Sequence, residues 1–131
     1  MFKLCGAAIT WSSRRQGLVT TSTTEAEYVA TTEAAKEAIW LSLLLSDLGH
    51  KPGAIPLYCD NQGAIALSNS ARTTGRTKHF TVRHHFIREC IAAGSIDIKY
   101  VSTHTQLADA LTKPVALDLL RSFCVGNGLS Y

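Results

Sequence analysis

Three carboxylates stand where their neighbours suggest more than solvation: Glu27, Asp60 and Asp109. Glu27 opens a long helical stretch, Asp60 follows a short apolar strand, and Asp109 lies in a late helical segment. Carboxylates on separate elements can converge on a hard divalent cation, since Mg²⁺ prefers carboxylate and water oxygens in octahedral geometry. Two such ions about 4 Å apart can clamp the attacking and leaving oxygens of a phosphodiester displacement. Each residue also has a plainer reading. Glu27 can serve the helix start and its dipole. Asp60 can be the N-cap of the helix that follows. Asp109 can be a dipole-favoured surface residue. Spacing alone does not choose between these.

The elements that must position them read as follows. Lys3 to Trp11 reads as a strand, 12–17 as a turn and Leu18 to Thr21 as a short second strand, together a hairpin. A helix is expected from about Thr24 to Leu48, with Ser22 and Thr24 each followed three residues on by Glu. Gly49 stops it. Positions 27, 30, 34, 38, 41 and 45 recur with helical period and read as the core-facing stripe. Glu25 lies about 200° around the helix from Glu27, on a polar side with Thr32 and Lys36. A strand near Ile55 to Cys59 precedes a helix from Asn61 to about Ser68. Residues 70–78 read as a loop, and a helix runs from about Phe80 to Ala93, ended by Gly94. Ser95 to Val101 alternates as a strand, with Asp97 on its polar face. Gln106 to Val125 reads as helical with a break at Pro114. The order argues for α/β, with a hairpin at one edge of a mixed sheet.

The chain has 131 residues and a net charge of +3, which bounds it to one domain and permits an anionic partner without demonstrating one. No apolar run is long enough to span a membrane. Cys5, Cys59, Cys90 and Cys124 form no CxxC pair, so they read as reduced, mostly buried thiols of an intracellular protein. No nuclear or organelle signal is evident. The region 72–88 holds Arg72, Arg76, Lys78, Arg83 and Arg88, with His79, His84 and His85 among them. Such clustering suits phosphate contacts along a nucleic acid, and equally a solvated helix face. His85 and Cys90 are badly spaced for one metal-binding helix face.

Taken together the residues resemble the ribonuclease H region of a copia-type retrotransposon polyprotein. The segments that carry the resemblance are Ile9-Thr10-Trp11-Ser12-Ser13-Arg14-Arg15-Gln16, Ser22-Thr23-Thr24-Glu25-Ala26-Glu27-Tyr28 and Tyr58-Cys59-Asp60-Asn61-Gln62. They continue with Arg76-Thr77-Lys78-His79, Arg83-His84-His85-Phe86-Ile87-Arg88-Glu89 and Gln106-Leu107-Ala108-Asp109-Ala110-Leu111-Thr112-Lys113-Pro114, in the family's order across nearly the whole chain. The resemblance implies a ribonuclease H-like mixed sheet with flanking helices over residues 1–131. It implies two Mg²⁺ ions and hydrolysis of the RNA strand of an RNA–DNA hybrid, beside a reverse transcriptase domain. It puts the catalytic and metal-holding carboxylates at Glu27, Asp60 and Asp109. In the wider group, a product-releasing histidine can occupy the loop where His104 stands.

The family carries a further catalytic aspartate on its first strand. This chain has no acid before Glu25, so the resemblance implies a copy lacking that strand, with impaired cleavage. The alternative is a non-catalytic nucleic-acid-binding or structural remnant of a retroelement.

Overall fold

The computed structural model describes residues 1–70 and 81–129. The chain is mixed α/β and divides into two compact units, residues 20–102 and residues 1–19 with 103–129. Each is built around its own two-stranded sheet, in place of the single mixed sheet expected.

The larger unit opens with helix α1, Thr23–Asp47. Ser22 caps it, its side chain accepting from the Glu25 N–H, so the earlier of the two competing boxes sets the start. The helix ends on Leu48 in a Schellman arrangement. The His50 N–H donates to the Leu45 carbonyl and the Gly49 N–H to Ser46, both at 2.9 Å. Gly49 takes φ +84°, where a side chain would be strained. Strand β3, Ile55–Cys59, follows, then α2, Gln62–Asn69, and α3, Thr81–Ala92. Strand β4, Ile96–Tyr100, pairs with β3 in parallel, with Ile55 opposite Ile96 and Cys59 opposite Tyr100.

The core of this unit joins Tyr28, Cys59, Ala64 and Ile87, with Ile65, Leu67, Phe86, Ile91 and Ile98 packed around them. The buried face of α1 is Tyr28, Val29, Thr31, Thr32, Ala35, Ala38 and Leu41. Ala38 and Leu41 are buried as expected, but the first half of the expected stripe is displaced, since Ala30 is exposed and Thr31 and Thr32 are buried. The threonines can be buried because their hydroxyls donate to carbonyls one turn back. Thr31 reaches Glu27 at 2.8 Å, and Thr32 reaches Tyr28 at 2.9 Å.

The smaller unit contains a tight hairpin, β1 Phe2–Leu4 and β2 Ala7–Thr10. The turn is Cys5-Gly6 with φ +51° and +86°, the double positive φ whose twist suits a two-residue hairpin. The hairpin therefore lies inside what reads as one strand, and Leu18 to Thr21 forms no strand. Two 3-10 turns, Thr103–Thr105 and Leu107–Leu111, precede helix α4, Leu117–Gly126. The continuous helix expected before Pro114 is thus replaced by 3-10 turns. Lys3 Nζ donates to the Gly126 carbonyl, and Ser13 Oγ donates to Leu111 O at 2.7 Å. All four cysteines are free: Cys59 and Cys90 are buried, Cys124 is half-buried and Cys5 is exposed. No helix among the described residues is long and apolar enough to cross a membrane.

Candidate metal centre

Glu27 sits in the second turn of α1, one residue before Tyr28, which is only 1% exposed. The core contact of Tyr28 thereby fixes the rotation of the helix and the place of the glutamate. Glu25 serves a different purpose. Its carboxylate accepts from the Thr21 N–H and hydroxyl, both at 2.7 Å, closing the helix start rather than standing solvated.

Cys59 ends β3, and its carbonyl accepts from the Val101 N–H at 3.0 Å just beyond β4. Asp60 follows directly, at the carboxyl end of a parallel strand, where α/β proteins place functional groups. It is not the helix cap. The cap of α2 is Asn61, whose Oδ1 accepts from the Ala64 N–H at 2.9 Å. The same oxygen receives the Thr24 hydroxyl at 3.5 Å, linking the first turn of α1 to the start of α2. Gly63 makes that approach possible. A Cβ there would lie 3.0 Å from Thr24 Oγ1, 3.1 Å from Asn61 Oδ1 and 3.2 Å from Thr24 Cγ2.

Donor atoms of Glu27, Cys59 and Asp60 all lie within 4.8 Å of one another. Glu27 and Asp60 are half-buried, and Cys59 is 5% exposed. The Cys59 thiol is pushed above its ordinary range, chiefly by burial. A contact with the Asn61 backbone opposes this, and the negative charges of Glu27 and Asp60 add to it. Two carboxylates this close, open enough for water to complete a shell, fit one hard divalent cation. Cys59 as a third donor was not foreseen from the sequence. The signal available was its place beside Asp60 on an apolar strand.

Asp109 belongs to the smaller unit. It lies on the second 3-10 turn rather than a helix, with its side chain 17% exposed and its Oδ1 2.9 Å from Lys113 Nζ. Exposed His104 and half-buried Asp109 line a shallow cleft of about 570 Å³ in that unit, with Lys113, Asp118 and Ser122. Asp118 also pairs loosely with Arg121, at 3.8 Å. In the larger unit Asp97 meets Lys99 at 3.3 Å on the surface.

Arg83 and Arg88 lie half-buried on α3. Arg72, Arg76, Lys78 and His79 lie outside the described residues. His84 faces inward, 1% exposed, its Nε2 3.0 Å from Leu67 O and its ring stacked on Tyr28 with centroids 6.2 Å apart. Among the described residues neither the Tyr28 hydroxyl nor His84 Nδ1 has a hydrogen-bond partner. The Tyr28 phenol is pushed up to about 12 by burial, against the opposing charge of Arg88. His84, His85 and Cys90 do not gather as a metal-binding set among the described residues.

The chain is similar to one region of retrovirus-related Pol polyproteins of copia-type transposons. In particular it is 46% identical over 115 residues to the retrovirus-related Pol polyprotein from transposon TNT 1-94 of Nicotiana tabacum, covering 88% of this chain and 9% of that protein. Identity to the corresponding polyprotein from transposon RE1 of Arabidopsis thaliana is 39% over 123 residues, 93% of this chain and 8% of that protein. The Transposon Ty1-NL2 Gag-Pol polyprotein of Saccharomyces cerevisiae is 30% identical over 118 residues, 89% of this chain and 7% of its own length. The chain thus spans less than a tenth of these curated relatives. No family model matches it, and no solved structure does.

Proposed function

We propose that this chain is the ribonuclease H-type region of a retroelement polyprotein, with a ribonuclease H-like fold, and that it hydrolyses RNA paired to DNA with Mg²⁺. The observation that carries the reading is the meeting of Glu27 and Asp60 at the carboxyl end of β3. Those two side chains hold the ion; Asp109, in the smaller unit, is a further catalytic carboxylate only by the resemblance. When bound, Mg²⁺ supplies positive charge for the attacking and leaving oxygens of the phosphodiester.

The protein's part is positioning. Tyr28 fixes the rotation of α1 and so Glu27. Pairing with β4 fixes the end of β3 and so Asp60. Asn61, by taking the cap, leaves the Asp60 carboxylate available for another task. The Lys113 ammonium balances the charge of Asp109. Arg83 and Arg88, together with Arg72, Arg76 and Lys78, contact phosphates, which positions a duplex without reading its sequence. In the parent polyprotein the working partner is a reverse transcriptase domain.

A second reading rests on the basic residues alone: Arg83 and Arg88 on α3 contact a duplex, and the chain binds hybrid without cutting it. The test is cleavage of an end-labelled RNA–DNA hybrid by the purified chain in Mg²⁺, beside Asp60→Asn. Cleavage lost in the variant supports the nuclease reading. Salt-sensitive hybrid binding without cleavage, from a chain with a cooperative melt, supports the second. Cleavage that survives Asp60→Asn overturns the proposed site.

A further inference from the structure

A site for Mg²⁺ alone has no use for sulfur, because hard cations take oxygen ligands. Yet a thiol stands within 4.8 Å of both carboxylates. We propose that Glu27, Cys59 and Asp60 form a binding site for a thiophilic divalent cation, Zn²⁺, which occupies the place of Mg²⁺ and shuts it out. The inference rests on the reading of Glu27 and Asp60 as cation-holding carboxylates and adds the control of that site.

Three features support it. The donor set is mixed, two carboxylate oxygens and one sulfur, which suits Zn²⁺ with three protein ligands and one open position. The sulfur is held in place: Cys59 is opposite Tyr100 in the ladder, its carbonyl is bonded to the Val101 N–H, and its side chain is buried in the core with Tyr28 and Ala64. The distances are close to what is needed. Zn–O bonds of about 2.1 Å and Zn–S of about 2.3 Å put tetrahedral donors about 3.5 Å apart. From 4.8 Å or less, side-chain movements of about 1 Å suffice, and the half-exposed carboxylates can make them. Zn²⁺ also outranks hard cations for sites with soft donors. Binding releases the thiol proton to solvent and leaves a thiolate on the metal.

The test uses the reduced full chain and Cd²⁺, whose thiolate charge-transfer band in the ultraviolet reports sulfur ligation directly. One equivalent of Cd²⁺ should raise the band, and Zn²⁺ should remove it by competition. Cys5→Ser, Cys90→Ala and Cys124→Ser should keep the band. Cys59→Ser should abolish it. Glu27→Gln and Asp60→Asn, which retain the thiol, should weaken Cd²⁺ binding about tenfold or more, because each removes one of three ligands. These two variants also carry the test if Cys59→Ser fails to give a cooperative melt. A band that survives Cys59→Ser, or that ignores both carboxylate variants, overturns the proposal. Hybrid cleavage in Mg²⁺ without zinc is a separate readout. Its absence beside a Cys59-dependent band sinks the nuclease reading alone. Its presence without such a band sinks the zinc site alone.

Discussion

Replacing Gly63 with alanine should destabilise the protein although alanine is the better helix former. Two effects oppose each other. Glycine to alanine in a helix interior is worth up to about 1 kcal/mol in favour of alanine, and less in a first turn. Against it, the new methyl would stand 3.0 Å from Thr24 Oγ1 and 3.2 Å from Thr24 Cγ2, so rotating Thr24 trades one close contact for another. It would also stand 3.1 Å from Asn61 Oδ1, which cannot move without losing the Ala64 cap bond. Overpacking of this kind costs about 1–3 kcal/mol, and loss of a cap about 1 kcal/mol. The balance is a loss of about 1–2 kcal/mol. At roughly 4 °C per kcal/mol for a chain of this size, Tm should fall by about 4–8 °C. The assay is a thermal melt by circular dichroism, with Gly53→Ala as the matched control. A Cβ at Gly53 meets nothing within 4 Å, so that variant should be neutral or slightly stabilised. A Gly63→Ala protein as stable as the parent would refute the claim that this glycine lets the starts of α1 and α2 abut.

Three further outcomes are expected. Mg²⁺ at ten times its dissociation constant should stabilise the parent by about 1.4 kcal/mol, and Asp60→Asn should show no such rise in Tm; an equal rise in both would remove Asp60 from the site. The Tyr28 phenol titrates near 12 when folded and near 10.0 when unfolded, so its contribution is complete below pH 10 and lost as pH rises towards 12. At pH 11 the parent should have lost about 1.4 kcal/mol that Tyr28→Phe retains, measured by denaturant melts at pH 8 and pH 11; equal losses would contradict this. Gly94→Ala, at φ +66° in the turn from α3 into β4, should cost about 1–2 kcal/mol in the same melts, and a neutral result would mean that turn relaxes freely.

Much of the larger unit was legible because its punctuation is local. Ser22, Gly49 and Gly94 mark ends by their own chemistry, and α1, β3, α2, α3 and β4 fall within a residue or two of expectation. The buried face of α1 was harder. Alanine carries a weak apolar signal, while Thr31 and Thr32 read as polar until their hydroxyls are seen bonded within the helix. The hairpin was missed because Cys5-Gly6 lacks the usual Asn or Asp before the glycine. The 3-10 turns around Asp109 have too few residues for a periodic signal. At the site, Glu25 reads as solvated in the sequence, whereas Thr21 holds its carboxylate at the helix start. That Asn61 and not Asp60 takes the cap, and that Gly63 sets a close approach, depend on three-dimensional neighbours.

The division of the chain has a consequence for synthesis. The larger unit is one continuous stretch, so Glu27, Cys59 and Asp60 can be assembled once residue 102 has left the ribosome. The smaller unit joins the two ends of the described chain, with Lys3 bonded to Gly126 and Ala7 beside Gly128. Its hairpin emerges before the α4 segment that it bonds. At roughly 5–20 residues per second, more than a hundred further residues take about 6–25 s to emerge. A two-stranded hairpin is marginal alone in water, and its edges are open to other chains. In that interval β1 and β2 wait for α4, and a chaperone or a neighbouring nascent chain would find them.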